Sequence, residues 1–282
     1  MKQKLKGFLK LCRPLNTLMF WVSVWIGTWL QGSWLIFENR LWIQVLWAAF
    51  SATAIGAGSN AINDYYDIEI DRINRPNRPL PSGILSLNEA WWAWAVLSGL
   101  GIGLGVLLSF LHVLVAVLCV GLLYAYSRWL KKTPFLGNVM VSSIGSLGVL
   151  YGAWVVGSGD LVVWAMLFAF WATLARELVK DIQDIHGDQA DGAKTLPIIW
   201  GEMPTRLLAG GCIGITILIT PLPYLWAMYS GTYLVLVCIA NAVFLLAAYT
   251  LGTQGEQQIT RTSSLLKGGM MLGMLALATQ PL

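Results

Sequence analysis

Asp64, Asp67 and Asp71 stand at i, i+3 and i+7, and Asp181, Asp184 and Asp188 repeat that spacing in the second half of the chain. An α-helix turns about 100° per residue, so each trio falls within roughly 60° of one helix face. Asn60 lies inside the first stripe and Asn63 beside it, while Glu177 takes the place of Asn60 in the second. Carboxylate and amide oxygens are hard ligands. With no His or Cys clustered beside them, the set suits Mg²⁺ or a similar cation rather than zinc. His186, between Asp184 and Asp188, reads as a hydrogen-bonding neighbour and not as a ligand.

The surrounding chain makes these acids conspicuous. Of 282 residues, 57% are hydrophobic, 11% are charged and 15 are tryptophan, whereas a soluble domain carries about 25% charged residues. The composition predicts an all-α, polytopic membrane bundle forming a single domain over residues 1–282. Apolar runs near twenty residues are long enough to cross a bilayer. Nine are expected, at about 15–34, 41–66, 88–109, 111–128, 138–157, 160–180, 205–228, 232–252 and 263–280. An internal four-helix repeat, about 15–128 and 138–252, would account for the duplicated stripes. With the N-terminus in the cytosol, Arg40 alone among 18 Lys and Arg falls outside, a strong positive-inside bias. It puts both stripes at cytosolic helix ends of a cell-membrane protein. Neither a nucleic acid nor an obligate protein partner is expected; membrane lipids are.

Smaller features read as packing. Cys12, Cys119, Cys212 and Cys238 are dispersed and are expected to be small buried side chains, not disulfides. Gly101, Gly103 and Gly105 lie mid-span with no strand before them, so they predict close helix contact. Trp91, Trp92 and Trp94 mark a membrane interface, and His112 reads as a loop or interface residue. The basic arm from Lys2 to Arg13 is expected to rest on anionic lipid heads; no small-residue cleavage site follows it.

An aspartate at a bilayer centre costs about 2.5–3.5 kcal/mol, so six facing lipid would cost on the order of 15–20 kcal/mol, more than a typical protein's stability. They must therefore face a wet, compensated cavity. Structural ion pairs with Arg72, Arg75, Arg78, Arg128, Lys131, Lys132 and Lys180 are the simpler explanation, but they leave the repeated spacing unexplained. Mg²⁺ is usually held by one or two carboxylates together with waters and phosphate oxygens. Two stripes facing one cavity with bound divalent ions and nearby cations suit a diphosphate, and the apolar interior suits its hydrocarbon tail. The residues thus point to an isoprenoid diphosphate.

Longer motifs sharpen this. Asn63-Asp64-x-x-Asp67-x-x-x-Asp71 with Arg75-Pro-Asn-Arg78-Pro-Leu-Pro-Ser-Gly83 closely resembles the first signature of the UbiA family of membrane prenyltransferases. Lys180-Asp181-x-x-Asp184-x-x-Gly187-Asp188 with Gly192-x-x-Thr195-Leu-Pro197 resembles the second. Arg13-Pro14, Tyr126-Ser127-x-x-x-Lys131 and Gly137-Asn138 also match family positions. The resemblance implies nine transmembrane helices around a central cavity, Mg²⁺ and a prenyl diphosphate donor. It implies Asn63, Asp67, Asp184 and Asp188 as direct or water-mediated metal ligands, with Asn60, Asp64, Asp71 and Asp181 as neighbouring candidates. Arg75, Arg78 and Lys131 would hold the diphosphate, with Tyr126 and Asn138 close by. Lys180 is a further substrate-binding candidate.

The acceptor is less constrained. Tyr-Ser-x-x-x-Lys and the run from Ala175 to Asp181 look most similar to the branch making digeranylgeranylglyceryl phosphate, where a free hydroxyl is alkylated. Asp64 or Asp71 would then orient or deprotonate that lipophilic acceptor, and Arg13 or Arg176 would meet its phosphate. Aromatic or tetrapyrrole prenylation is the alternative within the family. A magnesium transporter is an alternative outside it, and the single dense motif of a CDP-alcohol phosphotransferase is absent.

Overall fold

A computed structural model describes residues 2–32, 35–38, 41–157, 160–253 and 255–279. Arg40, the one cation expected outside, is not among them. The described residues form helices joined by short turns. The first half comprises α1 (Lys2–Cys12), α2 (Pro14–Gly32), α3 (Leu35–Glu38), α4 (Trp42–Tyr66), α5 (Ile68–Asn74), α6 (Leu87–Val106) and α7 (Phe110–Arg128). Next come α8 (Leu136–Ala153), α9 (Asp160–Gln183), α10 (Ile185–Ala190), α11 (Leu196–Ile199) and α12 (Glu202–Ile219). The chain ends in α13 (Leu222–Leu225), α14 (Gly231–Gly252) and α15 (Glu256–Leu277).

Local sequence sets these boundaries. Ser86 and Glu89 form a reciprocal capping box that starts α6, and the Ser109 hydroxyl accepts from His112 N to start α7. Such caps satisfy backbone donors that a helix start leaves open. Among the described residues six helices are long and apolar enough to cross a membrane: α4, α7, α8, α9, α14, and α12 continuing into α13. Helices α2, α6 and α15 run 19, 20 and 22 residues. Their tryptophans, glutamines and charges lower the mean hydropathy. The expected segment 263–280 begins earlier, at Glu256, because a charged first turn masks a helix start from an apolar count. The expected 205–228 is broken at Thr220 and Pro221.

Backbones approach closely where glycine permits. A Cβ on Gly27 would come 2.7 Å from the Val149 carbonyl carbon, and one on Gly152 the same distance from that of Val24, so α2 and α8 meet main chain to main chain. Thr28 Oγ1 donates to Gly152 O across this contact at 2.9 Å. The mid-span glycines of α6 divide: Gly101 lies against Ser51 O of α4, Gly105 near the Tyr151 hydroxyl, but Gly103 faces open space. The close-contact expectation holds for the first two.

Two smaller expectations need correction. His112 is buried: its Nδ1 meets Ser109 Oγ at 2.7 Å and its Nε2 meets Tyr151 O at 3.1 Å. A lone histidine at a helix start pairs with the next helix when a carbonyl is in reach, which a one-dimensional reading misses. Cys238 is exposed on α14, although Cys212 is buried, and all four cysteines are free thiols. The N-terminal arm is helical, with Gly7 and Leu11 buried and Lys4 paired to Glu89 at 2.6 Å.

Overpacking a tight contact costs about 1–3 kcal/mol. Gly152→Ala should therefore lower the thermal midpoint in detergent, whereas Gly103→Ala should leave it unchanged or slightly raised. Thermal unfolding followed by tryptophan fluorescence tests the contrast.

Candidate active site

Each acidic stripe is interrupted at its middle member. Helix α4 ends at Tyr66 and α5 starts at Ile68, with Asp67 between them at φ −88° and ψ 7°. Helix α9 ends at Gln183 and α10 starts at Ile185, with Asp184 between them at φ −98° and ψ 5°. The stripes are thus two short bends rather than straight helix faces. The spacing still works because the i→i−4 bonds run through: Asp67 N to Asn63 O, Asp71 N to Asp67 O, Asp184 N to Lys180 O and Asp188 N to Asp184 O, at 2.7–2.9 Å.

The two bends pack on one another. A Cβ on Gly187 would come 2.9 Å from Ile70 Cγ2 and 2.8 Å from Asn74 Cγ, so glycine lets α10 seat on α5. Arg75 Nη2 then donates to both Asp184 oxygens at 2.9 and 3.1 Å. Asn74 Nδ2 donates to Asp184 O at 3.3 Å. Lys131 pairs with Asp67, whose carboxylate also accepts from Asn63 Nδ2 at 2.7 Å. Asn138 Nδ2 donates to Asp181 at 2.8 Å. Arg78 bridges Asp71 at 2.6 Å and Asp64 at 3.1 Å, and Arg13 pairs with Asp64 as well. Arg13 holds φ 51°, a backbone conformation that costs a non-glycine residue about 1–3 kcal/mol. Glu177 accepts from Lys180 at 2.7 Å and from Arg176 at 3.3 Å.

Most of the sequence-derived set is therefore brought together. Two readings are both present: the two stripes meet, and four of the six aspartates, Asp64, Asp67, Asp71 and Asp184, are ion-paired. Among the described residues no three acidic, His or Cys side chains stand close enough to form a ready-made metal cage, because cations sit among the carboxylates. The donor set nonetheless fits Mg²⁺, which needs only one or two carboxylates when phosphate and water oxygens complete its shell. Asp181 and Asp188 carry no ion-pair partner among the described residues. Burial pushes the Asp188 carboxyl up to about 6, with Lys131 pulling the other way. Asp71 is also raised by burial, against the pull of Arg78. Burial works against the charge on Lys131, yet Asp67 holds its ammonium above the ordinary range.

A cavity of about 160 Å³ adjoins this cluster. Arg13, Asn60, Asn63, Tyr126, Glu177 and Lys180 line its polar part, and Met19, Phe20, Leu123, Ile144, Met270 and Met274 its apolar part. Asn60 donates to Cys12 O at 3.1 Å. Tyr126 stands among the charges of Glu177, Asp181 and Asp67. Elsewhere Arg72 pairs with Glu69, Arg128 bonds Tyr124, and Lys132 pairs with Asp191. His186 is exposed. Sequence reasoning missed Asn74 and Lys267. Asn74 adjoins a motif arginine; Lys267 is a lone cation within an apolar run, a signal in its own right.

A model of the UbiA prenyltransferase family matches residues 17–267. The digeranylgeranylglyceryl phosphate synthase of Methanopyrus kandleri is 40% identical over 273 residues, covering 96% of this chain and 98% of that one. The protein of that name from Methanothermobacter thermautotrophicus is 38% identical, covering 96% and 94%. A solved structure concerning digeranylgeranylglyceryl phosphate synthase in membranes is 32% identical, with TM-score 0.75 and 99% of each chain covered. A UbiA homologue from Archaeoglobus fulgidus, solved with GPP and Mg²⁺, is 18% identical with TM-score 0.65 and supports the fold alone, covering 97% of this chain and 100% of that one.

Arg78 serves two carboxylates whose side chains are each 3% exposed. Removing one partner of a buried pair costs about 3–5 kcal/mol. Arg78→Leu should markedly lower thermal stability. Arg72→Leu, which breaks a pair 60% and 63% exposed, should change it by no more than about 1 kcal/mol. Equal effects in a thermal-shift measurement would refute the buried-pair account.

Proposed function

The chain belongs to the UbiA prenyltransferase family, and from that premise we propose that it transfers a geranylgeranyl group to the free hydroxyl of geranylgeranylglyceryl phosphate. The donor is geranylgeranyl diphosphate, and Mg²⁺ assists. The observation that carries this reading is the meeting of the two acidic bends through Arg75–Asp184 and Gly187–Asn74. It gathers the candidate metal ligands and the cations proposed to hold the diphosphate into one cluster, which meets the cavity through Arg13 and Asn63. The near-full-length identity to proteins named for this activity supports the acceptor.

Asp67, Asp184 and Asp188 would hold the metal, with Asn63 and Asp181 beside them and Asn60 at the cavity edge. Bound Mg²⁺ supplies neutralisation of the charge that builds on the departing diphosphate. Arg75, Arg78 and Lys131 would turn from their carboxylates to diphosphate oxygens, with Asn138 and Tyr126 bordering the reacting carbon. Preorganised cations stabilise a leaving anion most strongly where water is excluded. In the reaction the allylic C1–O bond to diphosphate breaks and an ether bond forms between C1 and the acceptor oxygen. The acceptor's hydroxyl proton passes to Asp64 or Asp71. The apolar side chains of the cavity receive the prenyl chain and keep water from the allylic cation. Arg13 and Lys180 would bind the acceptor.

The same reading makes the bundle one domain of nine spanning helices around this cavity, α2, α4, α6, α7, α8, α9, α12, α14 and α15, with an internal four-helix duplication. The matching breaks at Asp67 and Asp184 support the duplication. The cation bias supports an N-terminus and active site facing the cytosol.

The test is an assay of purified protein with geranylgeranyl diphosphate and a panel of acceptors, including aromatic ones, read by product mass. Product should form from the phosphorylated lipid alcohol only when Mg²⁺ is present, and chelation should abolish it. Asp67→Ala, Asp184→Ala and Asp188→Ala should each lower kcat by about 100-fold or more, and Glu69→Ala should not. A product from an aromatic acceptor alone would replace the proposed acceptor.

A further inference from the structure

Beside the apolar cavity lies a second, more open recess of about 310 Å³. Its charged lining is cationic: Arg13, Arg75, Arg78, Arg176, Lys180 and Lys267. Five of these have carboxylate partners already described. Lys267 has none among the described residues. It projects, half-buried, from an otherwise apolar turn of α15. The charges it faces are Arg176, Lys180 and Arg13, with Glu177 opposing them, and Glu177 is already shared by Arg176 and Lys180. A cation held against three others beside a bilayer interior is costly, so it marks a site for an anion. Arg13, Asn16, Arg176 and Lys180 line both recess and cavity. An anionic head held here would therefore extend its tail into the apolar space. Arg13 also pairs with Asp64, which puts a hydroxyl near that head within range of a proposed base.

We propose that Lys267, with Arg176 and Lys180, forms a phosphate subsite for the acceptor at the side of the recess away from Arg75 and Arg78, which serve the donor, and that Lys267 selects phosphorylated over neutral acceptors. The inference rests on the acceptor proposed above. No carboxylate lines the recess among the described residues, so the phosphate binds here by direct ion pairs, whereas the donor diphosphate also draws on the acidic bends. Arginine and lysine pairs around a phosphate monoester satisfy its oxygens without a metal.

The experiment uses the full chain in nanodiscs of neutral phosphatidylcholine. Wild type, Lys267→Gln and Lys267→Arg are compared with geranylgeranylglyceryl phosphate and with its dephosphorylated alcohol. Lys267→Gln should raise the KM for the phosphorylated acceptor about tenfold while leaving kcat and the donor KM essentially unchanged. Lys267→Arg should restore it, and the penalty should vanish with the neutral alcohol. Unchanged acceptor KM overturns the subsite. So does an equal penalty on both acceptors, a fall in kcat alone as expected of a diphosphate release path, or a defect appearing only in anionic-lipid discs. If wild type alkylates no phosphorylated acceptor yet consumes donor with another, the proposed acceptor itself falls, which is a different outcome from a Lys267 variant that behaves as wild type.

Discussion

Asp64, Asp67 and Asp71 are each no more than 3% exposed, and a carboxylate so far from water is tolerated only with charge or hydrogen bonds supplied by the protein. The rest of the site follows from that need. Arg78 spans two of the three, Lys131 and Asn63 serve the third, and Arg13 adopts a strained backbone beside Asp64. The second stripe draws on the first half of the chain for Arg75 and Asn74. Neutralisation of Asp184 thus crosses between the halves and ties them together.

Placing each middle aspartate at a helix break has a mechanical consequence. A straight helix would carry all three carboxylates along one axis. The non-helical dihedrals at Asp67 and Asp184 separate α5 and α10 from α4 and α9, yet the preserved i→i−4 bonds keep the spacing. The short helices then lie on one another through Gly187, where any side chain would meet Asn74 and Ile70. Two helix ends that would otherwise project separately become one surface.

Charge is divided unequally across that surface. Carboxylates concentrate on the bends, whereas the recess toward α15 carries cations alone in its charged lining. On the proposed reading, such separation would serve two kinds of anion site, one working through divalent ions and one by direct ion pairing. The proposed transfer between two phosphorylated lipids would call for both.

Much of this was legible in one dimension because it depends on residue type and short spacing. An apolar composition with few charges dictates spanning helices, and carboxylates too costly for lipid must gather somewhere wet. The i, i+3, i+7 repeat and the Arg-Pro and Gly-Asp runs that follow it identify the family. Pairing was not legible. Arg75 meeting Asp184, Lys131 meeting Asp67 and Lys267 facing Arg176 join residues far apart in sequence. Nor were the breaks at Asp67 and Asp184, or the burial of His112 against Tyr151. Sequence determined which side chains carry charge and how they repeat along each helix. The tertiary structure alone decided which opposite charges meet, because Coulomb interaction depends on distance in space, and that distance is set by the packing of helices whose contacts no local pattern encodes.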